Sequence, residues 1–257
     1  MHKLFIHVFF KLYIDKFFYG VKMSRLYGEK EDINADKVKD FFNKRANKEF
    51  DSDLSIVLFQ DKENSEQRHV EEKKLLFENI DVSGKKVIEI GCGLGRWAEG
   101  LHDKCDSYLG IDFSEDLIEI AKKSQDYPNC KFQVMSATDI KVDELLIKPP
   151  FDLIIFSGFL MYINDDDIEI IMDEVNNIGS ENMKVFAMEP ISCLETRLTL
   201  KDFYSEGLES DYNAIYRTEG EYVEIFKKLN CDKIFADDIF KDLSDHTETQ
   251  YKYFIVE

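Results

Sequence analysis

The sequence predicts an α/β chain built on a doubly wound, mostly parallel sheet. Three observations carry that prediction. Apolar runs of strand length alternate with helix-length segments from residue 86 onward, a glycine-rich turn follows the first such run, and an acid closes the second run about twenty residues after the first glycine. With 257 residues and 44% hydrophobic content, the chain can bury one full core, so two separate cores are not required.

In chain order, residues 1–22 place Lys3, His7, Lys11 and Asp15 on one side of a helix, with Leu4, Phe5, Val8, Phe9, Leu12, Phe17 and Phe18 over the rest. Those charges interrupt the unbroken apolar stretch that a signal peptide or a spanning helix needs. The expectation is a packed amphipathic helix, or an extension ahead of a start at Met23. Membrane contact through an interfacial helix is the less favoured alternative. Residues 23–80 read as a helical cap: 35–50 puts Val38, Phe41, Phe42 and Ala46 at helical spacing, and 64–79 does so with Val70, Leu75, Leu76 and Phe77. Between them, 51–63 reads as a loop with a short strand-like run.

Residues 81–257 are expected to form the core. Its strands read from the pattern are 87–90, 108–111 closed by Asp112, 184–189, 233–236 and 251–256. A helix over 164–177 opens at Asn164 and carries Asp165, Asp166 and Asp167 in its first turn, where carboxylates favour the positive end of the helix dipole. Three consecutive helical positions point three ways and cannot converge on one ion, so no metal site is expected. Another helix is read over 220–229. The stretch at about 190–218 is long and polar-aromatic for a connection, and connections past about a dozen residues are usually functional. Ligands sit outside the carboxyl ends of parallel strands, so this insert should roof the acceptor side of the cleft.

The turn after the first core strand reads Gly91, Gly93, Gly95, a GxGxG, and Arg96 with Trp97 crowds the place where a dinucleotide loop wants its third glycine. A carboxylate at Glu89, at the end of that strand, suits a cationic ligand better than a phosphate. Asp112 lies at the reach expected of an acid that accepts ribose hydroxyls. The ligand that fits an acid at each end and no phosphate is S-adenosyl-L-methionine, with its ammonium and sulfonium.

These motifs resemble those of the class I S-adenosylmethionine-dependent methyltransferases, in which an acid precedes GxGxG and a second acid closes strand two. The match covers about 81–189 by motif and the remainder by fold order. Ser136-Ala137-Thr138 takes the place of the segment that contacts adenine, and 151–162, with Ser157 and Tyr162, is similar to the fourth strand and the loop bordering the transferred methyl group. Ser136 stands where many members have an acid, and Tyr162 where many have a histidine. The resemblance implies a seven-stranded Rossmann-like sheet with an antiparallel last strand beside strand five. It also implies a cofactor site made by Glu89, Gly91, Gly93, Gly95, Arg96, Trp97, Asp112, Phe113, Ser136, Ala137, Thr138 and Ser157. Arg96-Trp97, Asp112-Phe113-Ser114 and the wording of the insert further resemble a subgroup associated with bacterial surface-polysaccharide and sugar biosynthesis. That implies methyl transfer, to oxygen, of a sugar, nucleotide-sugar or phosphate-type precursor of capsule or O-antigen.

Candidate bases near such an acceptor are His69, Tyr162, Glu189, Tyr204 and Tyr216, and candidate acceptor-binding cations are Arg68, Arg197 and Arg217; none is selected by a motif. Taken singly, each also reads as a solvated or anchoring side chain. Fifty-two acids against 33 bases give a net charge of −19, which repels a polyanion, and no basic run interleaved with aromatics appears, so nucleic acid is not expected as a partner. Five scattered cysteines without a CxxC pair fit a reducing cytoplasm. A homodimer is left open. Two alternatives stand beside the methyltransferase: an NAD(P)-dependent oxidoreductase, against which Arg96 speaks, and a non-catalytic adenosyl-binding partner subunit.

Overall fold

The computed structural model describes residues 24–239 and 248–257, so the reading of residues 1–22 as a helix or extension lies outside the described residues. A short strand, β1 (Arg25–Tyr27), precedes three cap helices, α1 (Ala35–Ala46), α2 (Asp53–Leu58) and α3 (Lys62–Asn79). The core then runs β2 (Lys86–Ile90), α4 (Ala98–Leu101), β3 (Ser107–Asp112), α5 (Glu115–Ser124), β4 (Cys130–Val134), β5 (Phe151–Ser157), α6 (Asp165–Ile178) and β6 (Gly179–Ser192). It closes with β7 (Leu198–Ser205), β8 (Ser210–Tyr216), α7 (Glu219–Phe226), β9 (Ile234–Ile239) and β10 (Thr249–Val256).

Seven strands form one sheet in the order β4-β3-β2-β5-β6-β10-β9. The five strands from β4 to β6 pair in parallel, and β10 enters antiparallel between β6 and β9, as the resemblance implied. The parallel strands are apolar on both faces because helices cover both. On one face Ile88, Ile90, Leu109 and Ile154 pack with Ile171 and Met172 of α6 and Phe226 of α7. On the other, Val87, Tyr108 and Leu153 pack with Leu76 of α3, Leu101 of α4 and Ile118 of α5. Burying each such aliphatic side chain contributes about 1.5–3 kcal/mol, and the resulting stiff sheet fixes where its carboxyl ends stand.

Four expectations are corrected. The 51–63 segment contains a helix, α2: Ser52 Oγ accepts from Leu54 N at 3.3 Å, and Ile56 is buried against Leu94 and Leu117. The apolar run that read as a strand is thus a six-residue helix closed by Phe59 at φ 59°. On α3 the apolar face is not where Val70 lies, since Val70 is 61% exposed while Ser65, His69, Glu72 and Leu76 are buried. Asn164 does not cap α6 with its side chain; its amide instead accepts from Ile33 N at 2.9 Å and donates to Ile33 O at 3.0 Å. The fifth core strand runs on past 189 to Ser192, and the insert beyond it is a hairpin of β7 and β8 joined by β1 into a three-stranded antiparallel sheet. This small sheet packs Leu198, Leu200, Tyr212 and Ala214 onto Phe41 of α1 and Met161.

Candidate active site

Beyond the carboxyl ends of β2, β3 and β5 lies a cavity of about 190 Å³ walled by the glycine turn, the β3 and β4 termini and the loop after β5. The turn depends on backbone that only glycine adopts freely. Gly91 has φ +75°, and a Cβ there would lie 2.2 Å from Phe159 Cδ2, whereas at Gly93, φ +52°, the nearest atom to an added Cβ is Val57 Cγ1 at 3.4 Å. Gly91 therefore lets the β5 loop approach the turn, and Gly93 keeps the turn's backbone open to the cavity.

Asp112 ties this turn to strand β3. Its Oδ2 accepts from Gly93 N and its Oδ1 from Ser114 N, both at 2.9 Å. Burial raises the Asp112 carboxyl above its ordinary value, while those amides pull the other way. Glu89, also buried, accepts from the Tyr108 hydroxyl, and burial pushes its carboxyl up to about 8, so it is neutral at pH 7 until a cation arrives.

Arg96 occupies the third-glycine position with purpose. Its guanidinium reaches Glu72 Oε2 at 2.5 Å and His69 Nδ1 at 2.8 Å, and donates to Ser157 Oγ at 2.7 Å. Glu72 in turn accepts from Arg68 Nε at 2.7 Å, which makes an Arg68–Glu72–Arg96 triad with Glu72 and Arg96 buried and Arg68 half-buried. The two arginines hold the Glu72 carboxyl below its ordinary value although burial works against them. Burial first, then Arg96, draws His69 down to about 3, so the imidazole is neutral and accepts at Nδ1.

The structure gathers Glu89, Gly91, Gly93, Arg96, Asp112, Phe113, Ser136, Ala137, Thr138, Ser157 and Tyr162 around this cavity, with Arg68 at its edge. Gly95 and Trp97 do not line it; Trp97 is fully buried behind the turn among Leu76, Leu101 and Phe186. Nor are the other candidates in the cavity wall. His69 is buried on Arg96, and Glu189 is buried under the β5 loop, accepting from Phe159 N and Leu160 N at 3.0 Å and Met161 N at 3.3 Å. Tyr204 is 59% exposed on the far side of β7. Arg197 and Arg217 are held by Asp165: Arg197 Nη1 lies 2.8 Å from Asp165 Oδ2, and Arg217 donates to Asp165 Oδ1 at 2.6 Å and to Leu160 O and Ile163 O. These arginines fasten the insert to α6 and are not in the cleft, because a buried guanidinium requires the carboxylate and carbonyls it has found.

A second cavity of about 690 Å³ lies between the cap, the small sheet and the start of β10. Leu58, Phe59, Arg68, Met161 and Tyr251 line both cavities and form the waist between them. Tyr216 lines the second cavity, as does Tyr212, whose hydroxyl meets that of Tyr162 at 2.7 Å. Sequence reasoning missed Glu72 and Tyr251; only Glu72 left a signal, its spacing of four from Arg68 on a helix.

The residues present fit an adenosyl amino acid. The cavity lining brings together the carboxyl groups of Glu89 and Asp112 and the guanidinium of Arg96, a set that suits a ligand carrying hydroxyls, an ammonium and a carboxylate better than a pyrophosphate. Strand order and the cavity at the carboxyl ends of the parallel strands are those of a Rossmann-like class I fold.

Comparison with known proteins agrees. The family model described as "Methyltransferase domain" matches residues 87–180. Phosphoethanolamine N-methyltransferase 1 of Arabidopsis thaliana is 31% identical over 98 residues, 36% of this chain and 18% of that protein. Demethylmenaquinone methyltransferase of Lactococcus lactis is 23% identical over 183 residues, 69% of this chain and 65% of that protein. The chain thus spans less than a third of the plant relatives it matches, 18% and 27% for two of them. Among solved structures, a DhpI–SAH complex superposes with TM-score 0.60 at 15% identity, covering 87% of this chain and 96% of that one. A Haemonchus contortus phosphoethanolamine N-methyltransferase 1 bound to phosphoethanolamine and S-adenosylhomocysteine does so with TM-score 0.60 at 16% identity, covering 86% and 49%.

Proposed function

We propose that this chain is an active S-adenosylmethionine-dependent methyltransferase that methylates a small polar acceptor held in the second cavity. The observation that carries the reading is the waist at Leu58, Phe59, Arg68, Met161 and Tyr251, which joins the cofactor cavity to a larger one of mixed polar and aromatic lining. Bound there, the cofactor supplies an electrophilic methyl group on a sulfonium. The chain's own residues do the positioning: Asp112 holds the ribose end, Glu89 faces the ammonium, Arg96 the carboxylate, and the cap and small sheet exclude water from the acceptor. Alignment of this kind can supply about 7–11 kcal/mol of a displacement barrier. The division into a cap at 23–80, a core at 81–257 and an acceptor-side insert at about 190–218 is part of this proposal.

For the acceptor we keep oxygen of a sugar, nucleotide-sugar or phosphate-type compound. The names of the relatives support small-molecule acceptors and do not extend to capsule or O-antigen. A thermal-shift comparison tests the reading: S-adenosylhomocysteine is expected to raise the melting temperature and NAD not to. Stabilisation by NAD alone would refute it.

A further inference from the structure

Arg96 is held from three sides. Its Nη1 lies 2.5 Å from Glu72 Oε2 and 2.8 Å from His69 Nδ1, and its Nη2 donates to Ser157 Oγ at 2.7 Å. A guanidinium offers only donors, so Nδ1 of His69 is the acceptor and the ring proton sits on Nε2, 3.4 Å from Glu99 Oε2. Both Nη1 hydrogens are thereby used, while Nε and the second Nη2 hydrogen have no acceptor among the described residues. Arg96 lines the cofactor cavity, and so does Ser157, whose hydroxyl accepts from Arg96 and keeps its own proton to give.

The two residues that fix Arg96 from the cap are outside both cavities. His69 and Glu72 stand three apart on α3, hence on one face of that helix, and are 3% and 0% exposed. Burying a carboxylate so completely is costly even when it is paired, and apolar side chains at such a place commonly hold two elements together as well or better. Adhesion of the cap therefore does not require this arrangement. What it supplies and an apolar contact would not is direction, since a planar guanidinium gripped at Nη1 from one side presents its remaining edge in a single orientation.

We propose that Glu72 and His69 are positioning residues for the cofactor: they fix the Arg96 guanidinium so that Nε and the spare Nη2 hydrogen take the carboxylate of the cofactor's amino-acid end. This rests on the reading of the cavity as an S-adenosylmethionine site with Arg96 at the carboxylate, and it makes the inner face of the cap helix part of that site. An arginine already oriented loses less freedom when the ligand arrives, so the gain falls on the amino-acid end of the ligand and not on its adenosine end.

The test uses the full chain and two ligands in calorimetry, S-adenosylhomocysteine and methylthioadenosine, which shares the adenosine and thioether but has no amino-acid end. The parent protein is expected to prefer S-adenosylhomocysteine. Glu72→Gln leaves one oxygen and no charge for two guanidinium groups, and His69→Phe removes the acceptor at Nδ1; each should shrink that preference about tenfold, with methylthioadenosine bound within about twofold of the parent. His69→Asn, whose amide oxygen can stand in for Nδ1, should keep most of the preference. In an Arg96→Gln background, Glu72→Gln should remove nothing further. Equal weakening of both ligands, or of neither, overturns the proposal, as does an additive loss in the double variant. Should Glu72→Gln fail to fold, the His69→Phe and His69→Asn pair decides. A parent protein that binds neither ligand would bring down the cofactor reading itself, whereas one that binds both without preference overturns this inference and leaves the adenosyl site standing.

Discussion

Asp112→Asn is the sharpest probe of the cofactor site, because one carboxylate both ties the glycine turn to β3 and stands at the ribose reach. The native group satisfies Gly93 N with Oδ2 and Ser114 N with Oδ1. Asparagine has one acceptor oxygen and an NH2 group, so only one of these amides can keep its partner. Ser114 N, two residues along the chain, is the local turn partner and keeps the oxygen; Gly93 N then faces a donor. A hydrogen bond to a charged group contributes about 1.5–3 kcal/mol, and about 1.4 kcal/mol is a factor of ten. The affinity for S-adenosylhomocysteine should therefore fall about 10- to 150-fold, the loss falling on the turn that receives the ligand. Calorimetric titration measures this, with thermal unfolding run beside it to establish that the variant is folded. A folded variant that binds within about threefold of the parent would refute the role given to Asp112.

Gly91→Ala and Gly93→Ala should separate packing from binding. Both place alanine in left-handed backbone, which costs about 1–2 kcal/mol, but only at Gly91 does the new Cβ meet the Phe159 ring, at 2.2 Å. The expectation is a clearly lower urea midpoint for Gly91→Ala than for Gly93→Ala, with Gly93→Ala losing S-adenosylhomocysteine affinity; equal midpoints would contradict the packing described. A pH dependence follows from Glu89, whose carboxyl is raised to about 8 in the folded chain against an ordinary value of 4.5. Between those values the folded state holds a proton that the unfolded state has released, so stability without ligand should decline as pH rises from about 4.5 to 8, and Glu89→Gln should flatten that slope. Tyr108 opposes the shift by donating to Glu89, Arg96 opposes it by charge, and Asp112 and Glu72 reinforce it. Because a bound ammonium favours the ionised carboxylate, S-adenosylhomocysteine affinity should rise with pH over the approach to 8; calorimetry in buffers of different ionisation enthalpy would show a released proton, and no release would count against the facing of Glu89 and ammonium.

Much of the core was legible because its signals are local. The apolar strands, the glycine turn and the acids Glu89 and Asp112 each declare themselves within about twenty residues, the reach of a β-α-β unit. The cap was less legible. Helix α3 buries His69 and Glu72 and exposes Val70, the reverse of what its apolar residues suggest, because its inner face meets Arg96 from the glycine turn. No feature of 62–79 alone announces that partner. Arg197 and Arg217 failed as acceptor contacts for the same reason, since Asp165, read as a helix-dipole residue, sits in space between them.

The sequence by itself determined the mostly parallel sheet and the place of the glycine turn and its strand-end acids, since periodicity and glycine spacing act over short stretches of chain, whereas the antiparallel last strand came from the family resemblance. Only the tertiary structure decided which charges are consumed internally and which face the reaction. Burial makes a guanidinium seek whichever carboxylate the fold brings near, and residues as distant as Glu72 and Arg96, or Asp165 and Arg217, become partners only after the cap and the small sheet have closed on the core.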